Sequence, residues 1–119
     1  MKLIKIINAR NTLESFSDRE DIQGHLSYWM TKFVVKTKSE YDFYSTEIRK
    51  IISKYGNKDD EGNIVVPNEK FAECNEEISK LDQTDVEDPN IKFFLSELSQ
   101  LKLSMKQMHT LLDFIDEEK

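Results

Sequence analysis

A chain of 119 residues, 38% hydrophobic and 34% charged with seven Phe, four Tyr and one Trp, suits one domain with its own core and is too apolar and aromatic for wholesale disorder. Cys74 is the only cysteine, which excludes an intrachain disulfide or a thiolate metal cluster and fits a reducing cytoplasm. The net charge of -6 argues against a general nucleic-acid binder, and no apolar run approaches the roughly 18 residues of a membrane span, so a soluble protein is expected.

LIKII, Leu3–Ile7, is short and rich in β-branched residues, which predicts a strand, followed by a helix capped at Asn8 and running to about Ser17. Between Gly24 and Tyr55 the apolar positions Leu26, Met30, Phe33, Tyr41, Tyr44, Ile48, Ile51 and Tyr55 recur every three or four residues, with Thr37 bridging the one gap. Their mean step of about 3.6 is the period of a straight helix. One long amphipathic helix is therefore predicted, roughly 48 Å at about 1.5 Å per residue. It is longer than a compact domain of this size needs, so part of it is free to project or to pair with another chain, and Gly56 supplies its stop.

The stretch KYGNKDDEGNIVVPNEKF, Lys54–Phe71, admits two readings. As a calcium loop it offers Asn57, Asp59, Glu61, Gly62 and Ile64 at the first ligand, glycine and apolar positions. The twelfth position is Asn68 rather than the bidentate glutamate, and Pro67 stiffens the exit. A hairpin needs only the turn Glu61-Gly62-Asn63 and the short strand Ile64–Val66, and is the favoured reading. Beyond it Asn68 can cap a helix with Phe71, Cys74, Ile78 and Leu81 on one face, and LDQTDVEDPN breaks that helix, Pro89 forcing Asp88 toward extended geometry. The last segment reads either as one continuous helix from Phe94 to Ile115 or as a strand, Ile91–Leu95, followed by a helix that Ser104 and Gln107 open as a capping box; the second is preferred.

Chemistry-bearing patterns are sparse. His25 and His109 lie in no metal-ligand spacing, Cys74 shares an apolar face with Phe71 and Ile78, and three scattered glycines leave no phosphate-binding loop. Asp59-Asp60 and Glu76-Glu77 sit in polar runs where solvated surface is the default. Tyr28, Trp29, Lys32, Phe33 and Lys36 interleave rings with cations, as single-strand binders do, but at helical spacing this is more often a core face with a solvated edge. Charge is segregated: residues 24–55 carry six basic and three acidic groups, residues 56–90 three basic and eleven acidic.

The succession EIRKIISKYG, NKDDEGNIVVP, NEKFAECNEEI and ELSQLKLSMKQMHTLLDFI resembles small uncharacterised proteins of phages and prophages of Gram-positive bacteria, over residues 24–116. In those proteins a KYG element and an acidic, glycine-containing hairpin join two helices, and a short strand and final helix follow. The resemblance implies phage origin and a role in the cytoplasm of the infected bacterial host or in the virion, and it supplies no catalytic residues.

Together these expectations describe a single α+β domain over residues 1–119, mainly α, with one long amphipathic helix, two or three shorter helices and a small sheet from Leu3–Ile7, Ile64–Val66 and Ile91–Leu95. The expected function is that of a non-enzymatic phage accessory protein, without cofactor or metal, acting through contact with a phage or host protein or a second copy of itself, with virion assembly as one setting. The alternative is an acidic inhibitor of a host defence nuclease that mimics nucleic acid. Candidate partner-binding residues are Asp59, Asp60, Glu61, Glu76 and Glu77 on the acidic segment and Tyr28, Trp29 and Lys32 on the aromatic one.

Overall fold

Helix α1 runs from Leu3 to Glu14 in the computed structural model, which describes residues 1–117. The expected strand at Leu3–Ile7 and cap at Asn8 are thereby corrected. β-branched residues favour strands only as a weak prior, and here tertiary packing prevails. Leu3, Ile6, Ile7, Ala9 and Leu13 are all buried, so apolar residues recur at helical spacing and reach opposite sides of one helix. Backbone pairing of residues 1–2 with 84–86 anchors its start: Lys2 and Asp85 form an antiparallel bridge, and Leu3 N–H donates to the Thr84 carbonyl at 2.8 Å.

The single long helix expected from Gly24 to Tyr55 is two: α2, Gly24–Lys36, and α3, Lys38–Tyr55. The break falls at Thr37, the residue that bridged the gap in the apolar series. Thr37 is fully buried with φ -100° and ψ 11°, and its Oγ1 donates to the Phe33 carbonyl at 2.7 Å. A threonine hydroxyl that bonds back one turn offers the backbone an alternative to the helical ladder. The break lets α2 and α3 enter different cores.

The larger core gathers Ile6, Ala9 and Leu13 of α1, Leu26, Met30 and Phe33 of α2, and Ile91, Phe93, Leu98, Leu101, Leu111 and Phe114 of the C-terminal region. Phe33 sits at its centre, edge-on to Phe114 at 4.9 Å between centroids and tilted against Phe93. A smaller core joins Leu3 and Ile7 of α1 to Leu81, with Tyr44, Ile48 and Ile51 of α3 half-buried around it. α1 thus lies between the two.

After α3 the chain forms the favoured hairpin, with β1, Asn57–Lys58, antiparallel to β2, Ile64–Val65. Gly56 approaches the hairpin closely enough that an added Cβ would lie 2.4 Å from Ile64 Cγ2 and 2.7 Å from the Ile52 carbonyl oxygen. Helix α4, Phe71–Asp82, follows a 3-10 turn at Asn68–Lys70. Asn68 opens that turn and makes no side-chain cap bond, which corrects its expected role; Pro67 before it has extended geometry suited to the entry. Phe71 is exposed rather than on the packed face, while Cys74 and Leu81 are buried.

The strand-then-helix ending is found, in shorter pieces. β3 is Phe93–Phe94, shorter than the expected Ile91–Leu95, because Leu95–Leu98 already winds into α5. Lys102 adopts a left-handed conformation, φ 53°, that stops any continuous helix. α6, Met105–Leu111, opens on the Ser104–Gln107 capping box in both directions. β4, Ile115–Asp116, then pairs in parallel with β3. The three expected strands therefore form no common sheet; among the described residues two separate two-stranded sheets stand in its place.

Candidate functional site

From Lys38 through Glu73 no residue is buried. α3, the hairpin and the entry to α4 form an arm that meets the smaller core through half-buried Tyr44, Ile48 and Ile51. Three side-chain bonds fasten it. The Tyr55 hydroxyl donates to the Glu77 carboxylate, Lys54 Nζ donates to the same oxygen at 3.1 Å, and the Tyr44 hydroxyl donates to Asp82 at 2.8 Å. The Tyr55 bond, then Lys54, holds the Glu77 carboxyl below its ordinary range. Burial, then the bond to Asp82, pushes the Tyr44 hydroxyl up to about 12. Phe43 on α3, Ile64 and Val65 on the hairpin and Phe71 at the start of α4 are each 41–53% exposed.

The five acidic candidates separate by this geometry. Asp59 spends its Oδ1 on the N–H groups of Glu61 and Asn63, both at 2.9 Å, which closes the turn with Gly62 at φ 86°. Only a residue without a Cβ adopts that φ at little cost. Glu77 faces α3, and Glu76 pairs with Lys80 at 3.6 Å on the surface. Asp60 and Glu61 alone project from the hairpin tip with exposed, unpaired side chains. No group of three or more His, Cys, Asp or Glu that could hold a metal ion occurs among the described residues.

The three aromatic-segment candidates lie elsewhere, on α2. Phe33 of that interleaved run is core, Tyr28 is exposed and edge-on to Trp29 at 5.3 Å, and Lys32 is exposed one turn on. Trp29 is half-buried and faces a cleft of about 230 Å³ that also receives His25, Phe94 and Glu97. His25 Nδ1 lies 2.7 Å from Glu97 Oε2, and its ring is parallel to that of Phe94.

No family model, curated protein or solved structure matches this chain. The geometry alone therefore bears on the site. Of the two candidate surfaces, the acidic one coincides with the thinly packed arm, while Trp29 joins residues that sequence reasoning did not connect. His25 and Trp29 are four apart on α2, a spacing that places them on one face. Phe94 and Glu97 arrive from far along the chain, and nothing local signalled them. No helix among the described residues is long and apolar enough to cross a membrane.

Proposed function

We propose that this protein is a non-enzymatic accessory factor that acts by docking on another protein through the arm formed by α3, the hairpin and the start of α4. The observation that carries the reading is the run from Lys38 to Glu73 without a buried residue, combined with exposure of Phe43, Ile64, Val65 and Phe71. A segment that orders itself with so little burial gains most from a partner that covers its apolar side chains. Whether the partner is a phage or host protein or a second copy, the arm is the surface offered. The phage setting, in a particle or in the cytoplasm of the infected bacterium, is proposed on the order of the sequence motifs.

Affinity purification of the tagged protein tests the docking reading. Phe43→Ser, Val65→Ser and Phe71→Ser together should release the co-purifying partner while the variant still unfolds in one cooperative transition, because none of the three side chains is buried. Unchanged recovery of the same partner would remove the arm from consideration.

The nucleic-acid-mimic reading finds support in Asp60 and Glu61 at the hairpin tip and in the eleven acidic groups of residues 56–90. Its array is thinned by Asp59 and Glu77, which serve the fold. A mimic would bind a nuclease fast and lose it as salt rises. Reversing the charge of Asp60 and Glu61 should then abolish inhibition, and intact inhibition would dismiss it.

A further inference from the structure

The cleft beside Trp29 combines aromatic walls with one inward-facing carboxylate. His25 and Phe94 lie parallel, 5° between ring planes and 6.2 Å between centroids. The Glu97 side chain is 21% exposed and its partner His25 is 59% exposed. Lys92 also lines the cleft and donates its Nζ to the Asp113 carbonyl at 2.6 Å. Glu97 is the acid of the cleft, and His25 is its partner.

We propose that this cleft is a pocket for an arginine side chain on a basic segment of a partner protein. A guanidinium is planar, stacks on aromatic faces and donates a fork of N–H groups to a carboxylate. Trp29 and Phe94 supply the faces and Glu97 the acceptor. His25, the more exposed member of the pair, is the residue that yields, leaving Glu97 Oε2 to the incoming group. Lysine meets the charge but not the stacking. A nucleobase meets the stacking, but a phosphate beside it would meet the Glu97 carboxylate. A basic segment is instead drawn to it.

The proposal rests on the reading that the protein works by contact with proteins, but it uses a surface other than the arm and is tested without the natural partner. Trp29 is the only tryptophan, so its emission reports on the cleft directly. The full chain is titrated with an acetylated, amidated peptide carrying one arginine among glycines and serines, and with versions carrying citrulline or lysine in its place. Saturable change with the arginine peptide is expected, weakened at least about tenfold by citrulline, which keeps the shape and loses the charge, in line with the strength of charge-assisted bonds. Glu97→Gln should weaken binding to a similar degree, and His25→Ala should tighten it by freeing the carboxylate.

No saturable response to the arginine peptide would overturn the proposal, as would equal binding of the citrulline peptide to the unaltered protein, a comparison that needs no variant to fold. A response to oligothymidylate in place of the peptide would also overturn it and assign the cleft to single-stranded nucleic acid. Because the titration uses purified protein and peptide alone, it can fail while partner capture through the arm succeeds, and the reverse.

Discussion

Glu77 ties α4 to α3 by accepting from both Tyr55 and Lys54, so the arm's hold on itself varies with pH. The folded state keeps this carboxyl below its ordinary value of 4.5, chiefly through the Tyr55 bond. Its ionisation therefore stabilises the fold above that ordinary value, and the contribution disappears as pH falls through the lowered folded one. Glu77→Gln should melt earlier than the parent at pH 7, with the gap closing below about pH 4; a gap constant from pH 7 to pH 3 would refute this. Arg10 presents the opposite economy. Its side chain is 8% exposed, lies over the Tyr41 ring at 4.2 Å, pairs with Glu14 at 2.7 Å and leaves Nε without a partner. An apolar residue of similar volume escapes that desolvation, so Arg10→Met should change stability by no more than about 1 kcal/mol. Glu14→Ala strands the guanidinium and should cost about 1–2 kcal/mol, less than for a fully buried pair because Glu14 is half exposed. Chemical denaturation of both variants checks the inequality.

Elements were legible where local chemistry decides them and illegible where packing does. The Ser104–Gln107 capping box and the Gly62 turn depend on residues a few positions apart, and both formed as read. Leu3–Ile7 has the residues of a strand, but the two cores that α1 separates require apolar side chains on opposite sides of a helix there. The periodicity from Gly24 to Tyr55 is real on both sides of Thr37, but a period says nothing of whether a helix turns aside at a buried hydroxyl. For the candidate site, the acidic segment was visible as composition, whereas the sharing-out of its carboxylates between turn and helix pairing depends on three-dimensional contacts. Gly56 shows the same distinction: it was expected as a helix stop, yet its φ of -99° is open to any residue. Close approach is what demands glycine there. Gly56→Ala should cost about 1–3 kcal/mol through overpacking against Ile64 and the Ile52 carbonyl, measured by thermal unfolding; a neutral result would mean that the hairpin shifts freely.

On the scale of the whole molecule, the radius of gyration is 17.0 Å. A compact domain of this length would have about 13.5 Å, and the longest extent, 51 Å, exceeds the other two by 20 Å or more. The excess accords with a thinly packed arm extending from a well-packed body. Amide hydrogen exchange should follow that division, with Lys38–Phe71 exchanging at least tenfold faster than α1 and α2 because fewer buried contacts hold it; uniform protection would contradict the division. The docking reading is tested most directly by capture from cells expressing the tagged protein, comparing the parent with the Phe43→Ser, Val65→Ser, Phe71→Ser variant at low and high salt. Apolar docking predicts a partner that stays with the parent at both salt concentrations and is lost from the variant at both. The same proteins recovered with parent and variant, or none recovered with the parent beyond the untagged control, would contradict it.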